Sequence, residues 1–368
     1  MQYQEWQLDE DDASIKPNRK ELANALSPTR RRLPFGLSHT FSSLSAPGFR
    51  MLWSGMLFSM AAMQINIVAR SWLAYDLSGS GLVLGIVAMA RGLPQIILSP
   101  VGGVAADRFD KRKLLILSQF ALCILSLVNA LLVHLGIIQV WHLVVIGLFQ
   151  GIVFPFTMPT RQAYIPDLVG GDQLPNALAV DSAGRNLNRV LAPSLAGILI
   201  AWHPTVAFYA IALFYFGAVL TLIRLPFQKP SAAEHENAWR EMMIGFRYIL
   251  GRRNLLVLIV MGFLAVILGM PFQQMLPVFQ VDILRVGPAQ LGLMYTAVGI
   301  GALFGSLVVA YLSDDRNRSV FQLIAGIVFG IMLIPFAISS NYLVSLVLLT
   351  IVGFMSQAYL TFNRMLVL

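Results

Sequence analysis

Asp181, Arg185 and Arg189 stand at i, i+4 and i+8, so a helix carries one carboxylate and two guanidiniums along a single face. Arg91 stands about ten residues into a long apolar run, near a bilayer midplane at about 1.5 Å per residue. Gln64, Asn66 and Gln150 interrupt two other apolar runs. A further concentration, Gly103, Asp107, Arg108, Lys111 and Arg112, sets one acid among three bases, and Asp314, Arg316 and Arg318 echo it 207 residues on. Such groups bind anions, pair with one another and cap helices. They supply no nucleophile with a neighbouring base. His134, His142 and His203 stand at the ends of apolar runs, with no metal-ligand spacing. The lone Cys123 has no disulfide partner, and no G-x-x-x-x-G-K-[ST] run cradles a nucleotide. The chemistry expected is charge-based recognition of a small molecule, with no enzyme activity, no metal and no cofactor.

The elements that must position these residues are apolar. Of 368 residues, 57% are hydrophobic and 12% charged, and the mean hydropathy is +0.72. Soluble domains sit near 45–50% apolar and about 25% charged, and a chain this size has no means of hiding the excess from water. A membrane span needs roughly 20 apolar residues. Ten are expected, at 50–75, 81–106, 113–136, 140–165, 176–202, 204–226, 254–281, 286–312, 319–338 and 341–366. All must be helices, because an open strand leaves its backbone unsatisfied in lipid. The fold class is therefore an all-α polytopic membrane protein.

Charge asymmetry sets the orientation. Arg108, Lys111, Arg112 and Lys113, then Arg161, then Arg224 to Arg253, then Arg316 and Arg318 fall on one set of connections, with the basic tail. The other set holds Arg285, with Arg70 near its boundary and reaching out towards Asp76. By the positive-inside rule the rich set and both termini are cytoplasmic, and the net charge of +8 reports this bias, not nucleic-acid binding. Trp72, Trp141 and Trp202 then fall at the outer interface. Residues 1–46 read as a disordered tail with no signal peptide. Residues 47–226 form a six-helix half, 227–253 a linker with an amphipathic helix, and 254–368 a four-helix half. Asp181 and Arg185 neutralise each other, and Arg189 has no local partner.

Gly103, Asp107, Arg108, Lys111 and Arg112 resemble the loop motif G-x-x-x-D-R-x-G-R-R of the major facilitator superfamily. Asp110 stands at the motif's second glycine, where a left-handed residue is expected and Asp tolerates that conformation. The runs Phe49-Arg50-Met51-Leu52-Trp53, Trp72 to Ser80, Arg91-Gly92-Leu93-Pro94, Asn176-Ala177-Leu178 and Arg189 to Gly197 resemble the bacterial branch of enterobactin exporters and macrolide efflux proteins. The resemblance implies two pseudo-symmetric bundles of six helices, ten of an expected twelve being present. It also implies a loop latch at Asp107 and alternating access in the bacterial inner membrane. The motif R-x-x-Q-G in span four appears as Gly147-Leu148-Phe149-Gln150-Gly151, without its arginine, which weakens the case for proton antiport while leaving protons a candidate coupling ion.

The function expected is secondary transport by a monomer, exporting a siderophore-like or other organic anion. Arg91 and Arg189 would supply positive potential, with Gln64, Asn66, Gln150, Asp181 and Arg185 as further cavity candidates. Multidrug or macrolide efflux and a non-transporting membrane fragment are the alternatives. Because six spans precede the linker and four follow it, a sequence lacking spans eleven and twelve is expected, the other possibility being a ten-span protein that dimerises.

Overall fold

Hydrocarbon leaves a backbone no partner but itself, so every crossing segment must close its own hydrogen bonds. The computed structural model describes residues 42–226, 243, 247–248, 251–312 and 317–367. Among them lie ten long helices and no strand: α1 (Pro47–Ser78), α2 (Gly81–Arg108), α3 (Lys111–His134), α4 (Val140–Val169), α5 (Leu174–Trp202), α6 (Pro204–Leu222), α7 (Leu255–Ile283), α8 (Pro288–Tyr311), α9 (Arg318–Ile338) and α10 (Tyr342–Val367). Nine are long and apolar enough to cross a membrane. The exception is α5, where Asp181, Arg185, Asn186, Asn188 and Arg189 crowd the first half. Its neighbours α1 and α8 cover it, so burial by protein replaces apolar composition.

Two helices are interrupted where proline removes a donor. Pro155 sits in a 3₁₀ turn, Phe154–Phe156, inside α4. In α7 a π turn, Ala265–Gly269, precedes Pro271, and a second, Phe279–Ile283, follows Pro277. The turn between α2 and α3 departs from expectation. Asp110 is not left-handed (φ −57°, ψ 109°); its carboxylate caps α3, accepting from the N–H groups of Arg112 (2.9 Å) and Lys113 (3.2 Å). An N-cap satisfies orphan donors that a glycine leaves bare.

Of the expected tail, residues 1–41 lie outside the described residues, while Ser42–Ser45 forms a turn tied down by a hydrogen bond from Ser43 N to Asn176 Oδ1 (3.1 Å). Most of the linker, and with it the amphipathic helix, also lies outside them; Met243 and Tyr248 are exposed. Trp141 and Trp202 are exposed, but Trp72 is turned inward against the core. That core draws Leu73 and Leu143 together with Leu276, Leu291 and Leu349, so residues from before and after the linker share it. Outward faces are lined by Leu82, Ile97, Leu268 and Ile338, the apolar exposure that a lipid-facing surface requires.

Glycines set the closest approaches. A Cβ on Gly301 would run into the Thr350 carbonyl, and one on Gly353 into that of Val298, so α8 and α10 touch backbone to backbone. By contrast, a Cβ on Gly85 meets nothing within 4 Å. Gly301→Val should therefore lower thermal stability in detergent by about 1–3 kcal/mol, the usual cost of overpacking. Gly85→Ala should not; equal midpoints for the two variants would contradict the packing.

Candidate functional site

Two guanidiniums face one cavity. The cavity, of about 390 Å³, lies between α1, α2, α4 and α7 and is lined by Asn66, Arg70, Ser71, Arg91, Gln95 and Gln274, with apolar walls from Met63, Phe154 and Met158. Among the described residues no carboxylate lines it. Arg91, half-buried on α2, lies with its guanidinium 5.3 Å from the centre of the Phe154 ring, a cation–π contact. Asn66 is 2% exposed, and its side-chain oxygen has no partner among the described residues. Gln64, also expected here, is half-buried on α1 and does not line the cavity.

Arg70 is the residue that sequence reading misplaced. It does not reach out to Asp76; it is 6% exposed and turned into the protein. Its Nη1 donates to Gln150 Oε1 (3.5 Å) and its Nη2 to the Val87 carbonyl. Gly147 makes room, since a Cβ there would lie 2.9 Å from both terminal nitrogens. Hydrocarbon repels a guanidinium strongly, so an interior acceptor outcompetes a long reach to the interface. The signal available in sequence was Gly147 and Gln150 at i, i+3, which places a gap and an acceptor on one face of α4.

A second charged cluster lies where α4 meets α5. Asp181, 2% exposed, pairs with Arg185 one turn on and with Arg161 Nε at 3.7 Å. The mutual neutralisation of Asp181 and Arg185 is therefore present. Arg161 is not in a connection as expected but buried inside α4 at 6% exposure, because only there does it meet Asp181. Arg189 finds its partner 168 residues away, donating to Gln357 Oε1 of α10 (2.7 Å). Arg364 is an electrostatic neighbour of both Arg185 and Arg189.

The α2–α3 loop joins helices that are close in sequence. Lys111 Nζ donates to Asp167 Oδ2 (2.6 Å) and to the Ala163 carbonyl (3.2 Å) at the end of α4; Arg112 donates to the Ile223 carbonyl beyond α6. Asp107 is exposed, Arg108 is engaged, Gly102 lies tight against Pro155, and Gly103 faces open space. Asp314 and Arg316 lie outside the described residues, and Arg318 begins α9.

Several contacts run across the linker. Tyr75 donates to Asp282 of α7. Ser71 Oγ and Tyr295 Oη are 3.1 Å apart, with Tyr295 donating to the Gln273 carbonyl (2.6 Å), and Ser194 meets Thr296 at 2.6 Å. Gly197 of α5 and Gly292 of α8 meet without intervening side chains.

A helical membrane protein with a polar cavity of this kind, enclosed by helices from both sides of a central linker, is a secondary transporter of the major facilitator fold. The chain belongs to the family described as transmembrane secretion effector, which matches residues 38–364. It is 24% identical over 302 residues to the staphyloferrin A transporter of Staphylococcus aureus, covering 82% of this chain and 76% of that protein. It is 29% identical over 309 residues to the multidrug efflux pump Tap of Mycolicibacterium fortuitum (79% and 73%). With the enterobactin exporter EntS of Citrobacter koseri the figures are 24% over 318 residues (84% and 74%). Its fold matches the nucleoside transporter NupG with a TM-score of 0.66 at 13% identity, over 86% of this chain and 80% of that one. It also matches a bacterial homologue of the human lysosomal transporter Spinster in an inward-facing, unoccupied conformation, with a TM-score of 0.64 at 15% identity, over 90% and 75%.

Asp181→Asn should strand two arginines away from water. Removing one member of a buried ion pair costs about 3–5 kcal/mol, so this variant should yield little folded protein. Asp76→Asn, at an exposed helix end, should be silent. A normal thermal midpoint for Asp181→Asn would refute the pairing.

Proposed function

We propose that the chain is an exporter, not an enzyme, and carries a small organic anion of siderophore-like character across the bacterial inner membrane by alternating access. The observation that carries this is the cavity with Arg70 and Arg91 on its wall and, among the described residues, no carboxylate. In a medium of low dielectric, two fixed positive charges attract an anion and repel a cation. Arg70 is held by Gln150 and Val87, so its charge is a fixed background. Among the described residues Arg91 has the Phe154 ring as its contact and no hydrogen-bond partner, which leaves its N–H fork for a carboxylate. Arg189, also expected to serve the cargo, is engaged with Gln357 and takes the part of a contact between the halves. The names of the staphyloferrin A and enterobactin relatives support a cargo of this class.

In this reading residues 47–226 and 254–368 are two bundles that rock about the cavity, both termini and the linker are cytoplasmic, and the protein acts as a monomer. The Tyr75–Asp282 and Ser71–Tyr295 contacts then close the outer side, leaving the cavity to load from the cytoplasm. Asp107, exposed here, serves as a latch in the opposite state. Protons are the coupling ion first to be tested.

In proteoliposomes, Arg91→Gln should cut export of a polycarboxylate cargo at least tenfold while leaving stability unchanged. Preferred transport of cationic dyes, insensitive to Arg91→Gln, would favour the multidrug reading that Met63, Phe154 and Met158 on the wall also accommodate. Orientation has its own test: with Cys123 replaced by Ser, a cysteine at position 235 should resist an impermeant thiol reagent in intact cells and react in inverted vesicles. Rapid labelling from outside would reverse the topology.

A further inference from the structure

The Arg161 cluster carries one more positive charge than it balances. Two arginines, Arg161 and Arg185, share the single carboxylate of Asp181. Arg161 is 6% exposed, and its Nε and Nη2 hydrogens have no hydrogen-bond partner among the described residues. Its nearest carboxylate oxygen, at 3.7 Å, lies beyond hydrogen-bond reach. Beside it is a cavity of about 20 Å³, lined by Arg161, Gln119, Tyr215, Phe154 and Thr157. Gln119 is 4% exposed, and its side-chain oxygen also lacks a partner there. Buried polar groups in folded proteins are paired as a rule, and each exception needs a cause.

We propose that this cavity binds one monovalent, halide-sized anion, chloride being the abundant representative. Its volume suits a particle the size of a water molecule or a monatomic ion, the minimum for one water being about 10–15 Å³. A water would accept an N–H from Arg161 but leave the buried excess charge in place. A halide accepts the same N–H and also neutralises the cluster. Tyr215, which carries an O–H donor, also lines the wall, and the Gln119 amide presents its N–H group when turned about its terminal bond. Met63, Phe154 and Met158 line both this cavity and the larger one. One layer of side chains therefore separates the halide from the cargo site, and the arginine it neutralises is a different one from those that hold the cargo.

The test uses the full chain purified in detergent. At equal ionic strength and with one cation throughout, chloride should raise the melting midpoint over gluconate by about 3 °C once it is tenfold above its dissociation constant. Bromide should substitute. Gln119→Glu supplies the negative charge covalently, so this variant should keep its fold and lose the chloride response; Arg161→Gln should lose the response as well. Crystals grown in bromide should show an anomalous peak within reach of the Arg161 guanidinium. Equal midpoints in chloride and gluconate, a full chloride response in Gln119→Glu, or water in place of a bromide peak would each overturn the proposal. None of these readouts measures transport, so their failure is separate from failure of the exporter reading.

Discussion

A guanidinium in hydrocarbon must be held by protein, and the structure is arranged around that demand. Arg70, Arg91, Arg161 and Arg189 all lie within helices that cross or line the core, yet Asp181 is the one carboxylate among the buried charged residues described. Pairing with acids is therefore available to few of them. Arg70 takes a carbonyl and an amide, Arg91 an aromatic face, Arg189 a glutamine, and only Arg161 and Arg185 reach the acid. The guanidiniums outnumber this one buried carboxylate, so positive potential remains uncancelled and biases the interior towards anions.

Helix geometry makes these solutions possible. Gly147 gives Arg70 space against α4, and Gly151 lets α4 press on the Arg91 backbone. Gly197, Gly292 and Gly299 bring α5 onto α8, which carries Arg189 to within reach of Gln357 on the helix behind. Dispersion and shape fit drive helix association in lipid, since apolar burial gains little there. The same close contacts that bind the helices also aim the arginines.

What could be read from the sequence was whatever is local or summed. Ten helices followed from apolar run length, and the Asp181–Arg185 pair from a one-turn spacing. Partners distant along the chain were not legible. The acceptor for Arg70 is 80 residues away and that for Arg189 is 168 away. A charge near a span end, as Arg161 is, ordinarily lies in a connection; the buried carboxylate of Asp181 across the helix interface draws it inside instead. Asp110 escaped for a different reason. The resemblance pointed to a glycine-like conformation, whereas the side chain had a local role as a cap that its own carboxylate specifies.

Bond strength is distributed in a way that suits a moving device. The three ion pairs found among the described residues, Lys111–Asp167, Arg161–Asp181 and Arg185–Asp181, all lie before the linker. Across it, among the described residues, run hydrogen bonds between Ser71 and Tyr295, Ser194 and Thr296, Thr296 and the Val190 carbonyl, Arg189 and Gln357, and Tyr75 and Asp282. A neutral bond contributes about 0.5–1.5 kcal/mol net and one to a charged group about 1.5–3. The five together fall in the range of about 5–10 kcal/mol, partly offset by water when they open. Turning a two-state equilibrium from 1:99 to 99:1 takes about 5.5 kcal/mol of differential binding, which lies within that range. Among the described residues the ion pairs join helices that precede the linker, while hydrogen bonds, the shared apolar core and the Gly197–Gly292 contact join these to the helices that follow.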